Sequence, residues 1–191
     1  MLQFLKSTFA PVLAVSVALA PIAALAQSRD WEVSRNASEI GFSGTHAGRA
    51  FDGEFGQWTA RIRFDPRDLG NSRIVVVVDT GSATTGDRVQ ETTLKNPEWF
   101  DSANNRFATF RSNEISSRGG NRYLASGTLE IRGKQVPVSL PFTATISGDS
   151  ARASGKLTLD RIALGMGTKS DPRAQWVSRN IDLTFQVAAT R

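Results

Sequence analysis

Cysteine is absent from the 191 residues of this chain. Disulfides, thiolate metal sites and cysteine nucleophiles are therefore excluded, even in an oxidising compartment that would permit a disulfide. Histidine occurs once, as His46. With one imidazole and no thiolate, a metal site would rest on carboxylates, and no calcium-loop spacing of them occurs. A serine-histidine-aspartate triad would have to use His46, but no Gly-x-Ser-x-Gly elbow accompanies it. Nothing points to the paired carboxylates of a glycosidase. Gly165-Met166-Gly167 lacks both the further glycine and the helical pattern of a dinucleotide site, and reads as a turn. Blocks of like charge are missing too: the formal charge of +5 and the pI near 10.2 come from basic residues scattered singly among acids. Such a surface allows transient contact with anionic membranes and says little else about partners. On an alternating strand Trp58 points away from Arg61 and Arg63, so the stacking geometry of a nucleic-acid groove is not met and no nucleic-acid partner is expected.

Long apolar runs are confined to the N-terminus. Lys6 is the only charge before the apolar stretch Phe9 to Ala20, and Ala24-Leu25-Ala26 is a small-x-small site before Gln27. These are the parts of a cleavable secretory signal peptide over residues 1–26. Pro11 and Pro21 disfavour the alternative of a spanning helix. The mature chain would then run from Gln27 to Arg191 as one exported domain, with enough residues for a real core.

What fills that domain is strand pattern. From Lys134 to Ile146, Val136, Val138, Leu140, Phe142, Ala144 and Ile146 fall on one face, and Gln135, Pro137, Ser139, Pro141, Thr143 and Thr145 on the other. Similar stretches are expected at Trp31 to Asn36, Glu39 to Gly48, Gly53 to Asp65, Arg73 to Thr80, Phe107 to Ser117, Arg122 to Arg132, Ala153 to Arg161 and Ile181 to Ala189. Val75 to Val78 is unbroken, as in a strand covered on both faces. One segment departs from the rhythm. Asp87 to Lys95 reads as a short helix ended by Asn96-Pro97, and Trp99-Phe100 after it as a lid against the sheet. The fold class predicted is all-β: an up-and-down antiparallel barrel of about eight strands with one short helix, a two-sheet sandwich being the alternative. Proline donates no ladder hydrogen bond, so an edge, bulge or splayed mouth is expected near Pro137 and Pro141. An exposed edge there would also offer a homodimer contact.

The inward faces supply candidate lining residues: Phe42, Phe55, Trp58, Phe64, Trp99, Phe100, Phe110, Leu129, Leu140, Phe142 and Phe185. They can pack on one another as a plain core, or an eight-stranded barrel can hold one ligand among them. Periodicity does not choose between core and container.

An ordered series of motifs bears on that choice. Trp31 is followed by Ser38-x-Ile40-x-Phe42, His46 and Gly53-x-Phe55, then Asp79-Thr80-x-Ser82-x-x-Thr85-Gly86-Asp87, Leu94 and Trp99-Phe100-Asp101. Phe107-Ala108-Thr109-Phe110-x-Ser112, Gly127-x-Leu129-x-Ile131-x-Gly133, Leu159-Asp160-Arg161 and Gly165-x-Gly167 complete it. In this series the chain resembles the YceI-like family of lipocalin-fold, polyisoprenoid-binding proteins, across essentially the whole mature length. Two positions depart from the pattern of many relatives: Gln90-Glu91 stands where an Arg-Asp pair is common, and Asn105-Arg106 where Tyr-Pro is. The resemblance implies an extended lipocalin-like barrel in a bacterial periplasm, with no catalysis and no cofactor, holding a long isoprenoid such as a polyprenyl or quinone-like lipid. Some relatives occur fused to, or beside, a cytochrome b561-type membrane protein, and Trp58-x-Ala60-x-Ile62-x-Phe64-Asp65-Pro66 is similar to that branch. A ligand-free module docking on such a redox partner is thus the competing expectation. In the lipid-binding reading the aromatic and aliphatic residues named above grip the tail. His46 and Arg161 are then the candidates for meeting a polar head, arginine offering a planar fork of donors.

Overall fold

The computed structural model describes residues 30–191. The expected leader at residues 1–26 lies outside the described residues. Eleven strand segments form one antiparallel sheet. They are β1 (Glu32–Val33), β2 (Glu39–His46), β3 (Arg49–Phe55), β4 (Trp58–Arg63), β5 (Arg73–Asp79), β6 (Ala83–Thr84), β7 (Phe107–Ser117), β8 (Arg122–Ile131), β9 (Lys134–Ser147), β10 (Ser150–Asp160) and β11 (Asn180–Thr190). Among the described residues one α-helix, α1 (Arg88–Lys95), interrupts the meander between β6 and β7.

Eleven segments make eight staves. β1 and β2 lie along the same edge of β11, pairing at Ala189–Thr190 and Asp182–Gln186 respectively. The kink at Gly56-Gln57 divides one bent strand into β3 and β4, and the turn Thr80–Ser82 does the same for β5 and β6, which pair with them. From there β5 pairs β7, and each later strand pairs its successor. The ring closes where β2 pairs β3 and where Trp31, just before β1, bridges Ile62 of β4. The predicted all-β lipocalin-like barrel is therefore present.

Local chemistry explains the details. Trp58, Ala60, Ile62 and Phe64 all turn inward, as their spacing requires. Asp87 caps α1, its carboxylate accepting the backbone N–H of Val89 and Gln90. A bulge in β7 between Ser112 and Glu114 faces Gly127, where a Cβ would lie 2.2 Å from the Arg111 carbonyl oxygen, so only glycine fits. Several expected bounds shift: the strand expected from Gly53 to Asp65 is split at Gly56-Gln57, and the one expected from Ala153 begins at Ser150. The first strand shrinks because Arg35–Ala37 coils into a 3-10 turn, and β3 begins at Arg49 because Ala47 and Gly48 adopt the left-handed conformations of a tight hairpin.

Candidate functional site

The inward faces of the barrel do not meet. They enclose a cavity of about 240 Å3. Among the lining residues only Thr80, Arg152, Arg161 and Thr184 belong to polar types, apart from tryptophan. Phe42, Phe55, Trp58, Phe110, Leu129, Leu140, Phe142 and Phe185 come to this wall from the strands, Phe64 from the residue just past β4, and Trp99 and Phe100 from the segment after α1. Aromatic pairs organise it. Phe55 lies 5.1 Å from Phe42 and 5.8 Å from Phe100, while Phe64 stands edge-on to Tyr123 at 4.9 Å and to Phe142 at 5.7 Å.

One end of the cavity is covered by two connections, residues 85–106 and 161–179. Trp99 and Phe100 plug from the first, Leu164 and Met166 from the second. The two are tied together. Glu98 accepts the backbone N–H groups of Lys169 and Ser170, and its carbonyl accepts the Gly167 N–H at 2.9 Å. The Ser170 N–H holds the Glu98 carboxyl below its ordinary range, against some desolvation. Arg132, in the β8–β9 hairpin, donates to the carbonyls of Pro97 and Trp99. Thr80 anchors the base of the first connection, its buried hydroxyl bonded to Ser102 and to the carbonyls of Asn105 and Arg106.

Arg161 lines the cavity, but its guanidinium is already engaged. The side chain is 1% exposed and pairs with Asp171 at 2.7 Å. It also donates to the carbonyls of Ser178, Met166 and Val177 at 3.0, 2.8 and 2.7 Å. Burial draws its pKa down and the Asp171 charge opposes that, so the group stays cationic. Burial likewise pushes Asp171 up, yet the backbone N–H groups of Val177, Gln175 and Trp176, with Arg161, hold it below the ordinary carboxyl value. This pair staples residues 161–179 over the cavity, and the head-group role expected of Arg161 is corrected accordingly. His46 is corrected as well. It is exposed at the end of β2, bridged to Val177, and does not line the cavity.

Several residues of the cap escaped sequence reading. Leu164 and Met166 sit in a stretch with no strand period, and Asp171 is one carboxylate among many. The glycines flanking Met166, both at positive φ, marked a turn without disclosing the buried side chain between them.

Comparison with known proteins agrees with this architecture. The sequence matches the family profile described as YceI-like domain over residues 31–189. It is 27% identical over 136 residues to a UPF0312 protein of Vibrio parahaemolyticus, covering 71% of each chain. The structure of Burkholderia cenocepacia BcnA is similar with a TM-score of 0.80 at 27% identity, over 83% of this chain and 100% of that one. A polyisoprenoid binding domain from Saccharophagus degradans shares the fold with a TM-score of 0.66 at 14% identity, over 84% and 97% of the two chains.

Proposed function

The chain belongs to the YceI-like family, and from that premise and the shape of its interior we propose that it is a binding protein for a long-chain isoprenoid lipid, polyprenyl or quinone-like. The observation that carries this reading is the cavity itself: an apolar space left open inside a barrel whose aromatic residues had every opportunity to fill it. Burying each methylene of a tail there is worth about 0.8 kcal/mol, so affinity needs few polar contacts. The name of the Saccharophagus neighbour, which specifies polyisoprenoid binding, supports the ligand class. The leader sequence supports a periplasmic setting, where the protein would carry, store or shield the lipid. Among the described residues the cavity wall carries no acid-base pair or activated nucleophile, and His46 lies off it, which favours binding over catalysis. A filled barrel would have favoured the competing role, a ligand-free partner of a cytochrome b561-type protein.

Mass spectrometry of the solvent extract from natively purified periplasmic protein, against a mock purification, tests the proposal. A prenyl lipid or quinone stoichiometric with the protein is expected. An empty extract, with a native mass equal to the bare chain, would return the ligand-free module to first place.

A further inference from the structure

The barrel wall has a long discontinuity. β9 and β10 pair from the hairpin down to Phe142 and Gly155, and pair no further. Below that point the edge of β9 from Lys134 to Leu140 and that of β10 from Leu157 to Asp160 run unpaired, although β9 stays in register with β8 and β10 with β11 throughout. Register shows why. The two-residue hairpin at Ser147 and Ser150 makes those two a hydrogen-bonded pair, so the odd-numbered residues of β9 direct their backbone groups at β10. The hairpin at Ile131 and Lys134 turns the even-numbered ones to β8 by the same rule. Pro137 and Pro141 therefore both stand on the edge facing β10, where a donor is needed and neither has one. The ladder stops where the first of them is met.

What flanks the gap is apolar within and polar at the rim. Leu140 of β9 and Leu157 and Leu159 of β10 line the cavity beside it. Lys134 closes its foot by donating to the Ala163 carbonyl at 3.0 Å. On the β10 side the last ladder bond runs from the Lys156 N–H to the Pro141 carbonyl, and beyond it the backbone N–H groups of Thr158 and Asp160 point into the gap with no ladder partner, by the same parity. Other exits are covered. Residues 85–106 and 161–179 cap one end, while Phe64, Tyr123, Phe142 and Trp31 crowd the other, with Arg191 stacked 4.5 Å over Trp31. A second break in pairing, between residues 34–38 and β4, is bridged by Arg35, which stacks 3.8 Å over Trp58 and donates to the Gly56 carbonyl.

We propose that the β9–β10 seam is a lateral portal: the lipid tail passes sideways through it into the cavity, and the head group stays outside at the rim, its acceptor oxygens met by the free β10 N–H groups. Pro137 and Pro141 keep the seam from zipping. This rests on the lipid-binding reading above. It also answers where a head group goes in a cavity whose buried arginine is already engaged. Quinone carbonyls and phosphates both present the oxygen acceptors the rim requires.

The absence of cysteine makes the test clean, because one introduced thiol takes one label. Bimane is attached to Ser139→Cys at the seam, to Thr59→Cys on the outer face of β4, and to Thr168→Cys on the cap. Each labelled protein is titrated with decylubiquinone, whose head quenches fluorescence at close range. The cavity tryptophans Trp31, Trp58 and Trp99 report entry of the probe. Quenching of tryptophan and of the Ser139 label with one midpoint, with the other two labels unaffected, is the expected result. Tryptophan quenching with an unaffected Ser139 label, or with the greatest loss at Thr168, overturns the portal and leaves lipid binding standing. No tryptophan quenching overturns both. The double variant Pro137→Val, Pro141→Val regains two ladder donors and should associate with the probe about tenfold more slowly. A rate equal to that of the parent, with the fold intact by circular dichroism, would remove the prolines from the account.

Discussion

At the scale of single residues, Arg161 and Asp171 are the most consequential polar pair. Removing one partner of a buried ion pair strands the other, and here it also orphans the carbonyls of Met166, Val177 and Ser178. Arg161→Ala should lower stability by about 3–5 kcal/mol, read from urea unfolding of the parent and variant. A loss well below 1 kcal/mol would mean that the pair does not hold the cap. Nothing in the sequence separated Arg161 from the other arginines except its place in a family motif, and the motif suggested a head-group contact. The burial that makes it a staple comes from residues 10 to 17 positions away, folded back over it. Chain pattern within a strand carries no trace of that return.

At the scale of elements, strand pattern was far more legible than the connections. Period-two alternation placed Trp58, Ala60, Ile62 and Phe64, and equally Val136 to Ile146, on the inner face, because one wall faces water and the other does not. The helix at Arg88–Lys95 was legible from its aspartate cap and the proline beyond it. The cap at residues 161–179 was not, since the Glu98 carboxylate holds it by backbone N–H groups that any residue but proline at 169 and 170 would donate. That tie is titratable. Glu98 has a folded pKa below its ordinary 4.5, so its contribution is complete above that value and fades as pH falls through the lowered one. Asp171 acts in the same direction, from a reference value of 3.8. Amide protection factors at residues 167–171, corrected for the intrinsic exchange rate at each pH, should therefore be high near neutrality and fall in acid below the ordinary carboxyl range, ahead of those of the barrel strands. Exchange in the cap that rises only in step with β8 would show the two connections to be no less stable than the wall.

At the scale of the whole molecule, the barrel trades packing for room, and the ligand should restore what the cavity forgoes. Across a series of quinones with saturated tails, affinity should rise about fourfold per added methylene until the space is full. The melting temperature should climb with ligand concentration along the same series. Calorimetric titration and thermal unfolding would check both, and affinity indifferent to tail length would place the ligand outside the cavity. The core-or-container question was not legible in the sequence, because inward-facing phenylalanines look the same whether or not they touch. The distance between facing walls is a property of the closed ring. The closure of that ring has a further bearing on how the chain comes to be folded. β1 pairs with the last residues of β11, and Trp31 just before it bridges β4, so the first described strand waits for the last before either edge is sealed. A chain emerging N-terminus first, from a ribosome or through a membrane pore, would keep an open sheet edge until its final residues arrive. Sealing is thus the closing event of its biogenesis, and the interval before it is when the nascent protein most needs protection from pairing with its neighbours.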